Sequence, residues 1–158
     1  MKFNKTILKN GLRIVTVPMV DNPSVTVLVM VEAGSKYETK KETGLSHFLE
    51  HMVFMGSRKY PSENEYDAFI SSHGGECNAC TEGEYTSYLF DVQSESFSMA
   101  LDIFANCFIS PKLNLDSAER ELMAIESEFS IAKTEESARF QQLFCHSAIP
   151  GHIIRKFS

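Results

Sequence analysis

No apolar run in this sequence approaches 18 residues, and the longest, residues 25–31, has only the length of a strand. A helix crossing a bilayer needs about 20 apolar residues, so no membrane span is expected. The opening residues, Met1-Lys2-Phe3-Asn4-Lys5-Thr6, lack the apolar stretch and small-residue cleavage site of a secretory signal. They also lack the Arg-rich, acid-poor character of a transit peptide. A basic excess is missing too. Fifteen Lys and Arg stand against 21 Asp and Glu, a net charge of -6, which argues against a nucleic-acid binder with its basic face set against phosphates. Repeats and low-complexity segments are absent. Four cysteines (Cys77, Cys80, Cys107 and Cys145) without a secretion signal read as reduced thiols rather than a disulfide frame, and a cytoplasmic setting is the expectation.

What remains is an ordinary globular mix, 43% hydrophobic and 23% charged over 158 residues, the length of a single domain. The last residues, 153–158, are apolar and basic with no closing element, so residues 1–158 are expected to form one incomplete domain.

Asn10-Gly11 is a strong hairpin signal and predicts pairing of residues 5–9 with 12–18. Val25, Val27, Val29 and Val31 alternate with Thr26, Leu28 and Met30, which predicts a strand covered on both faces. Leu45, Phe48, Leu49, Met52 and Val53 recur at helical spacing over 44–55, with Gly56 as the stop. Pro61 and a Ser62…Glu65 capping box predict a second helix carrying Tyr66, Phe69 and Ile70, ended by Gly74-Gly75. Strands follow at 76–81 and 85–92. A third helix over 95–108 is expected to bury Phe97, Leu101, Phe104 and Phe108. Asp116 is expected to cap a fourth, with the stripe Ala118, Leu122, Ile125, Phe129, Ala132. Strands followed by segregated helices describe an α+β domain.

The chemistry concentrates in His47-Phe48-Leu49-Glu50-His51. On a helix, positions i, i+3 and i+4 share a face, so His47, Glu50 and His51 project together while Phe48, Leu49 and Met52 turn to the core. Two imidazoles at that spacing reach one Zn²⁺ at about 2.0–2.1 Å, with Glu50 beside them to act on a metal-bound water. A catalytic zinc takes three protein ligands, so a third should lie elsewhere. Glu121 and Glu128, two turns apart on the fourth helix, point the same way within or beside its apolar stripe. Glu119, Glu126, Glu135 and Glu136 compete with them, and spacing alone does not select a ligand. A solvated helix face bearing His and Glu is the plain alternative.

The sequence resembles the pitrilysin and insulin-degrading-enzyme (insulysin) family of inverted-motif zinc metallopeptidases. The resemblance rests on His47-x-x-Glu50-His51 within residues 45–57, on 59–66, on Asn78-Ala79, on Gly83-Glu84-Tyr85-Thr86 and Phe90-Asp91-Val92, and on the Glu121…Glu128 pair. It extends to Lys9-Asn10-Gly11-Leu12 and to 34–38. It implies a largely antiparallel sheet with helices on one face, a zinc cofactor and hydrolysis of peptide substrates. The distal ligand it implies, after a gap of 76 residues from His51, is Glu128, with Glu121 as the supporting acid and Glu50 as general base. Asn78 and Ala79 match the edge where such enzymes add the substrate as a strand. Cys80 departs from the aromatic residue of insulin-degrading relatives, so side-chain preference does not carry over. The resemblance also implies further domains, or a partner half, that close around the peptide. A non-catalytic subunit binding peptide or assisting assembly is the alternative, against which the intact motif speaks.

Cys77-Asn78-Ala79-Cys80 invites a redox or structural-metal reading. A strand sends side chains three apart to opposite faces, and no second C-x-x-C completes a zinc ribbon. His73, His146 and His152 are expected to be structural or surface residues.

Overall fold

A computed structural model of the chain describes residues 2–155; the expectation for residues 156–158 lies outside them. The hairpin at Asn10-Gly11 forms as β1 (Asn4–Ile7) and β2 (Arg13–Thr16), with Gly11 at φ 89° turning the chain. A second, three-stranded sheet has the order β3 (Ser24–Val31), β5 (Thr86–Gln93), β4 (Cys77–Thr81), every pairing antiparallel. Strand β5 is therefore central and β4 an edge. The helices are α1 (Leu45–Val53), α2 (Glu65–Ser72), α3 (Phe97–Ile109), α4 (Leu115–Ala132) and α5 (Glu136–Ser147).

One face of this sheet is covered. Tyr88, Phe90 and Val92 alternate inward along β5 and meet Tyr66 and Ile70 of α2 and Ala100, Ile103, Phe104 and Cys107 of α3. The Phe104 ring stands edge-on to Phe90 at 5.1 Å and to Phe108 at 5.0 Å. The architecture is the α+β arrangement that the sequence predicts.

Several local expectations are corrected. Strand β3 is not covered on both faces: Leu28 and Met30 are each 57% exposed, because no described helix lies against the outer side. The capping box does not form. Helix α2 starts at Glu65 behind Asn64, and Ser62 contributes its backbone carbonyl to the Glu65 N–H at 3.3 Å. Leu49 and Leu101 are exposed, the buried stripes passing instead through Glu50, Met52 and Val53 and through Ala100, Ile103, Phe104 and Cys107. Asn114, not Asp116, precedes α4, whose one buried residue is Ser117. Helix α5 occupies a stretch where the local pattern signals nothing; Phe140, Leu143 and Phe144 on it stand exposed.

Helix α4 is held at its start by polar anchors. Ser117 Oγ donates to Glu63 Oε1 at 2.6 Å, and Arg120 Nη2 reaches both Glu63 oxygens at 2.7 and 2.6 Å. Just upstream, Arg58 N–H bonds the Ser110 carbonyl and Lys112 N–H bonds the Gly56 carbonyl, both at 3.0 Å. The turn after α1 is thus tied to the turn before α4. Helix α4 packs against α1, and its Glu121 and Glu128 reach the histidines of that helix.

Candidate metal centre

Helix α1 begins at Gly44, whose φ of 88° is a left-handed conformation that favours glycine. The amides at a helix start need acceptors, and here a carboxylate from outside the helix supplies them. Glu38, only 8% exposed, accepts from Gly44 N–H at 2.8 Å and Ser46 N–H at 2.7 Å. A negative charge at this end also suits the helix dipole. Helical spacing does not single out Glu38, which lies six residues before Gly44, outside the helix it caps.

The i, i+4 geometry brings His47 Nε2 and His51 Nε2 to 3.3 Å. Glu128 Oε2 lies 3.6 Å from each of them. Two nitrogens bound tetrahedrally to zinc at 2.0–2.1 Å would stand roughly 3.3–3.4 Å apart, so three donors at 3.3, 3.6 and 3.6 Å outline one face of such a tetrahedron, slightly widened. The donor set of two imidazoles and one carboxylate fits zinc chemically as well. Among the described residues, His47, His51 and Glu128 are the group able to hold a metal ion.

The second acidic residue of α4 takes a different position. Glu121 Oε2 is 2.9 Å from His51 Nδ1, on the far side of the ring from the other donors. Glu50, the remaining member of the motif, is 8% exposed, and its Oε2 accepts the hydroxyl proton of Thr81 on β4. His47, Glu50, His51 and Glu128 share a cleft of about 400 Å³ that is also lined by Phe54, Tyr66, Asp67 and the Cys77-Asn78-Ala79 stretch of β4. Asn78 and Ala79, which the resemblance singles out, lie in this lining; Asp67 in the lining and Thr81 beside Glu50 carry no signal in the sequence.

Strand β4 is an edge strand, and part of its backbone is unpaired within the sheet. Its partner bonds alternate: Glu82 pairs with Tyr85 and Glu76 with Asp91 through N–H···O contacts of 2.9 and 3.0 Å. By that alternation Asn78 and Cys80 bond β5, while Cys77, Ala79 and Thr81 aim their N–H and C=O groups at the open edge. Asn78 Oδ1 covers the Ala79 N–H at 2.9 Å.

The C-x-x-C pair has no redox geometry. Cys77 is half-buried and faces the helices, where burial and the neighbouring Asp67 push its thiol up to about 11. Cys80 is exposed on the other face, its thiol also raised, by partial burial and by Glu82 and Glu50. His73 stacks on Phe69 at 4.1 Å and lies outside the cleft. No described helix is long and apolar enough to cross a membrane.

Known proteins are similar to this chain in sequence and in fold. The pattern of the insulinase family (peptidase family M16) matches residues 13–151. Over 127 residues the chain is 47% identical to nardilysin of Homo sapiens, taking in 80% of this chain and 11% of that protein. Over 152 residues it is 40% identical to the insulin-degrading enzyme of Mus musculus, 95% of this chain and 15% of that one. The fold matches the crystal structure of pitrilysin with a TM-score of 0.91 at 32% identity, covering 99% of this chain and 17% of the other. The chain therefore spans 11–17% of the length of these relatives. In sequence over most of its length and in fold over nearly all of it, the chain belongs to the insulinase (M16) family of peptidases.

Proposed function

We propose that this chain forms the zinc-holding part of a metalloendopeptidase, with His47, His51 and Glu128 as ligands and Glu50 as general base. The observation that carries the reading is the donor triangle of 3.3, 3.6 and 3.6 Å in a cleft that Glu50 also lines. A zinc ion there supplies an acidified water and a charge that polarises the scissile carbonyl. Glu50 has one oxygen occupied by Thr81, which leaves Oε1 to take the proton of the attacking water and hand it to the leaving amine. Glu121 orients His51 through Nδ1. The open edge of β4 offers an extended peptide a strand to pair with at Asn78 and Ala79, once the Asn78 amide yields the Ala79 N–H. Backbone pairing of this kind carries affinity with little side-chain selection. The four cysteines are free thiols, which suits a reducing compartment such as the cytoplasm.

Metal analysis with peptide cleavage tests this. The wild-type protein should hold about one zinc per chain, and His51→Ala and Glu128→Gln should lose it. Glu50→Gln should keep the zinc and cleave no peptide. Wild-type protein without zinc, or full cleavage by Glu50→Gln, would overturn the assignment.

The span of 11–17% of the relatives' length favours a second reading of the same site. In it, residues 1–158 form a single domain that binds zinc and peptide, and turnover depends on a partner half that completes the enclosure. Adding such a half and restoring cleavage without altering zinc content would separate the two.

A further inference from the structure

We propose that Thr81 is a positioning residue that sets the orientation of the Glu50 carboxylate, and that β4 thereby both receives a peptide and aligns the base. This rests on the reading of Glu50 as general base.

Glu50 is a nearly buried carboxylate, and among the described residues Thr81 is its one hydrogen-bond partner. A buried acceptor left without a partner carries a desolvation cost, so the carboxylate turns to wherever a donor stands. The donor's direction is itself fixed. Thr81 has a single hydroxyl proton, and its neighbour across the ladder, Thr86, gives its own proton to the Ala33 carbonyl at 2.8 Å. Thr86, 4% exposed, stands 3.5 Å from the Thr81 oxygen and lies too far to compete strongly for the proton that goes to Glu50. The chain of hydroxyls has one proton order: Thr86 to Ala33, Thr81 to Glu50 Oε2.

The scaffold behind it is equally constrained. The hairpin end that follows Thr81 is bolted to the 34–36 segment by Ser35 N–H to the Glu82 carbonyl at 3.0 Å and Lys36 N–H to the Gly83 carbonyl at 2.9 Å. Thr81 is also one of the β4 residues whose backbone faces the open edge. The strand that would register the substrate thus holds the base at the opposite end of the same five residues.

The test measures binding, so that it does not depend on turnover. Zinc content and the affinity of N-acetyl-leucine hydroxamate, a zinc-directed probe whose acidic proton the base must accept, are compared across wild type, Thr81→Val, Thr81→Ser, Glu50→Gln and the Glu50→Gln/Thr81→Val pair. All five should carry the same zinc. Thr81→Val should bind the probe about tenfold more weakly, the worth of one hydrogen bond to a charged group. Thr81→Ser should restore binding to within about twofold, and Thr81→Val should add nothing once Glu50 is Gln. Wild-type affinity in Thr81→Val, or an equal loss in the Glu50→Gln background, overturns the proposal while leaving the metal site intact. A wild-type protein that takes up no zinc overturns the site itself, and the role of Thr81 with it.

Discussion

Glu121 and His51 meet at 2.9 Å through Nδ1, and this contact determines what the opposite nitrogen can do. A carboxylate only accepts, so it holds the imidazole proton at Nδ1 and leaves the Nε2 lone pair facing His47 and Glu128. Replacing Glu121 with Gln removes the charge and allows the side chain to present either an amide proton or a carbonyl. Zinc affinity should fall about 10–100-fold, measured by competition with a chromophoric chelator, with the helical circular dichroism unchanged. Unaltered affinity would show that His51 keeps its tautomer without Glu121.

Glu63 should make the seating of α4 sensitive to acid. The hydroxyl of Ser117 and the guanidinium of Arg120 hold its carboxyl below the ordinary value of 4.5. Because the folded value is depressed, the stabilisation is complete above pH 4.5 and is lost as pH falls through the lowered value. Protection of the α4 amides from hydrogen exchange, taken relative to the intrinsic rate at each pH, should therefore fall below about pH 4.5 in the wild type. Glu63→Gln should exchange faster already at neutral pH and show a weaker acid dependence. Equal exchange in the two proteins at every pH would remove Glu63 as the anchor.

The contrast between α1 and α4 shows what the sequence reveals. His47, Glu50 and His51 were legible because their grouping depends only on helical spacing, a local property. Glu128 needed the family resemblance, since the rotation of α4 is not set by its apolar stripe. Leu122 and Phe129, on that stripe, are 56% and 45% exposed, whereas Ser117 and Glu121 turn towards α1 and the Glu63 anchor. Polar anchors 50 or more residues apart in sequence leave no periodic trace. The same holds for Glu38 and Thr81, whose partners lie on other elements. Strand alternation locates β3 but not its exposed outer face, because that depends on which face of the sheet the helices cover. Helix α5 carries no extended periodic signal, and its apolar residues Phe140, Leu143 and Phe144 stand exposed rather than docked.

Thiol chemistry offers a separate check on the Cys77–Cys80 pair. Burial pushes Cys77 and the buried Cys107 up to about 11, so both are protonated at neutral pH. Iodoacetamide should modify the exposed Cys80 first and leave Cys107 to the last. For Cys77 the rate should climb about tenfold per pH unit until the pH nears 11. Mass spectrometry of timed digests reads the order directly. A Cys77 that reacts quickly at pH 7 would restore the redox reading set aside above.

Gly34 is required for space rather than for backbone conformation. Its φ of -155° is extended, open to any residue. A Cβ there would lie 2.3 Å from the Glu82 carbonyl oxygen and 2.8 Å from that of Gly83, both backbone atoms that cannot swing aside. Gly34→Ala must therefore push the 34–36 segment off the hairpin that bears Thr81, breaking contacts that hold the β4–β5 turn. The cost should be about 1–3 kcal/mol, the range for overfilling a close contact, and should appear as a melting temperature several degrees lower. Gly83→Ala is the internal control. It lies in the same turn with nothing within 4 Å of its added carbon, and its melting point should move by no more than about 0.5 kcal/mol of stability would shift it. Equal destabilisation by the two substitutions would mean that the hairpin tolerates displacement of the 34–36 segment, and that glycine at 34 serves flexibility instead.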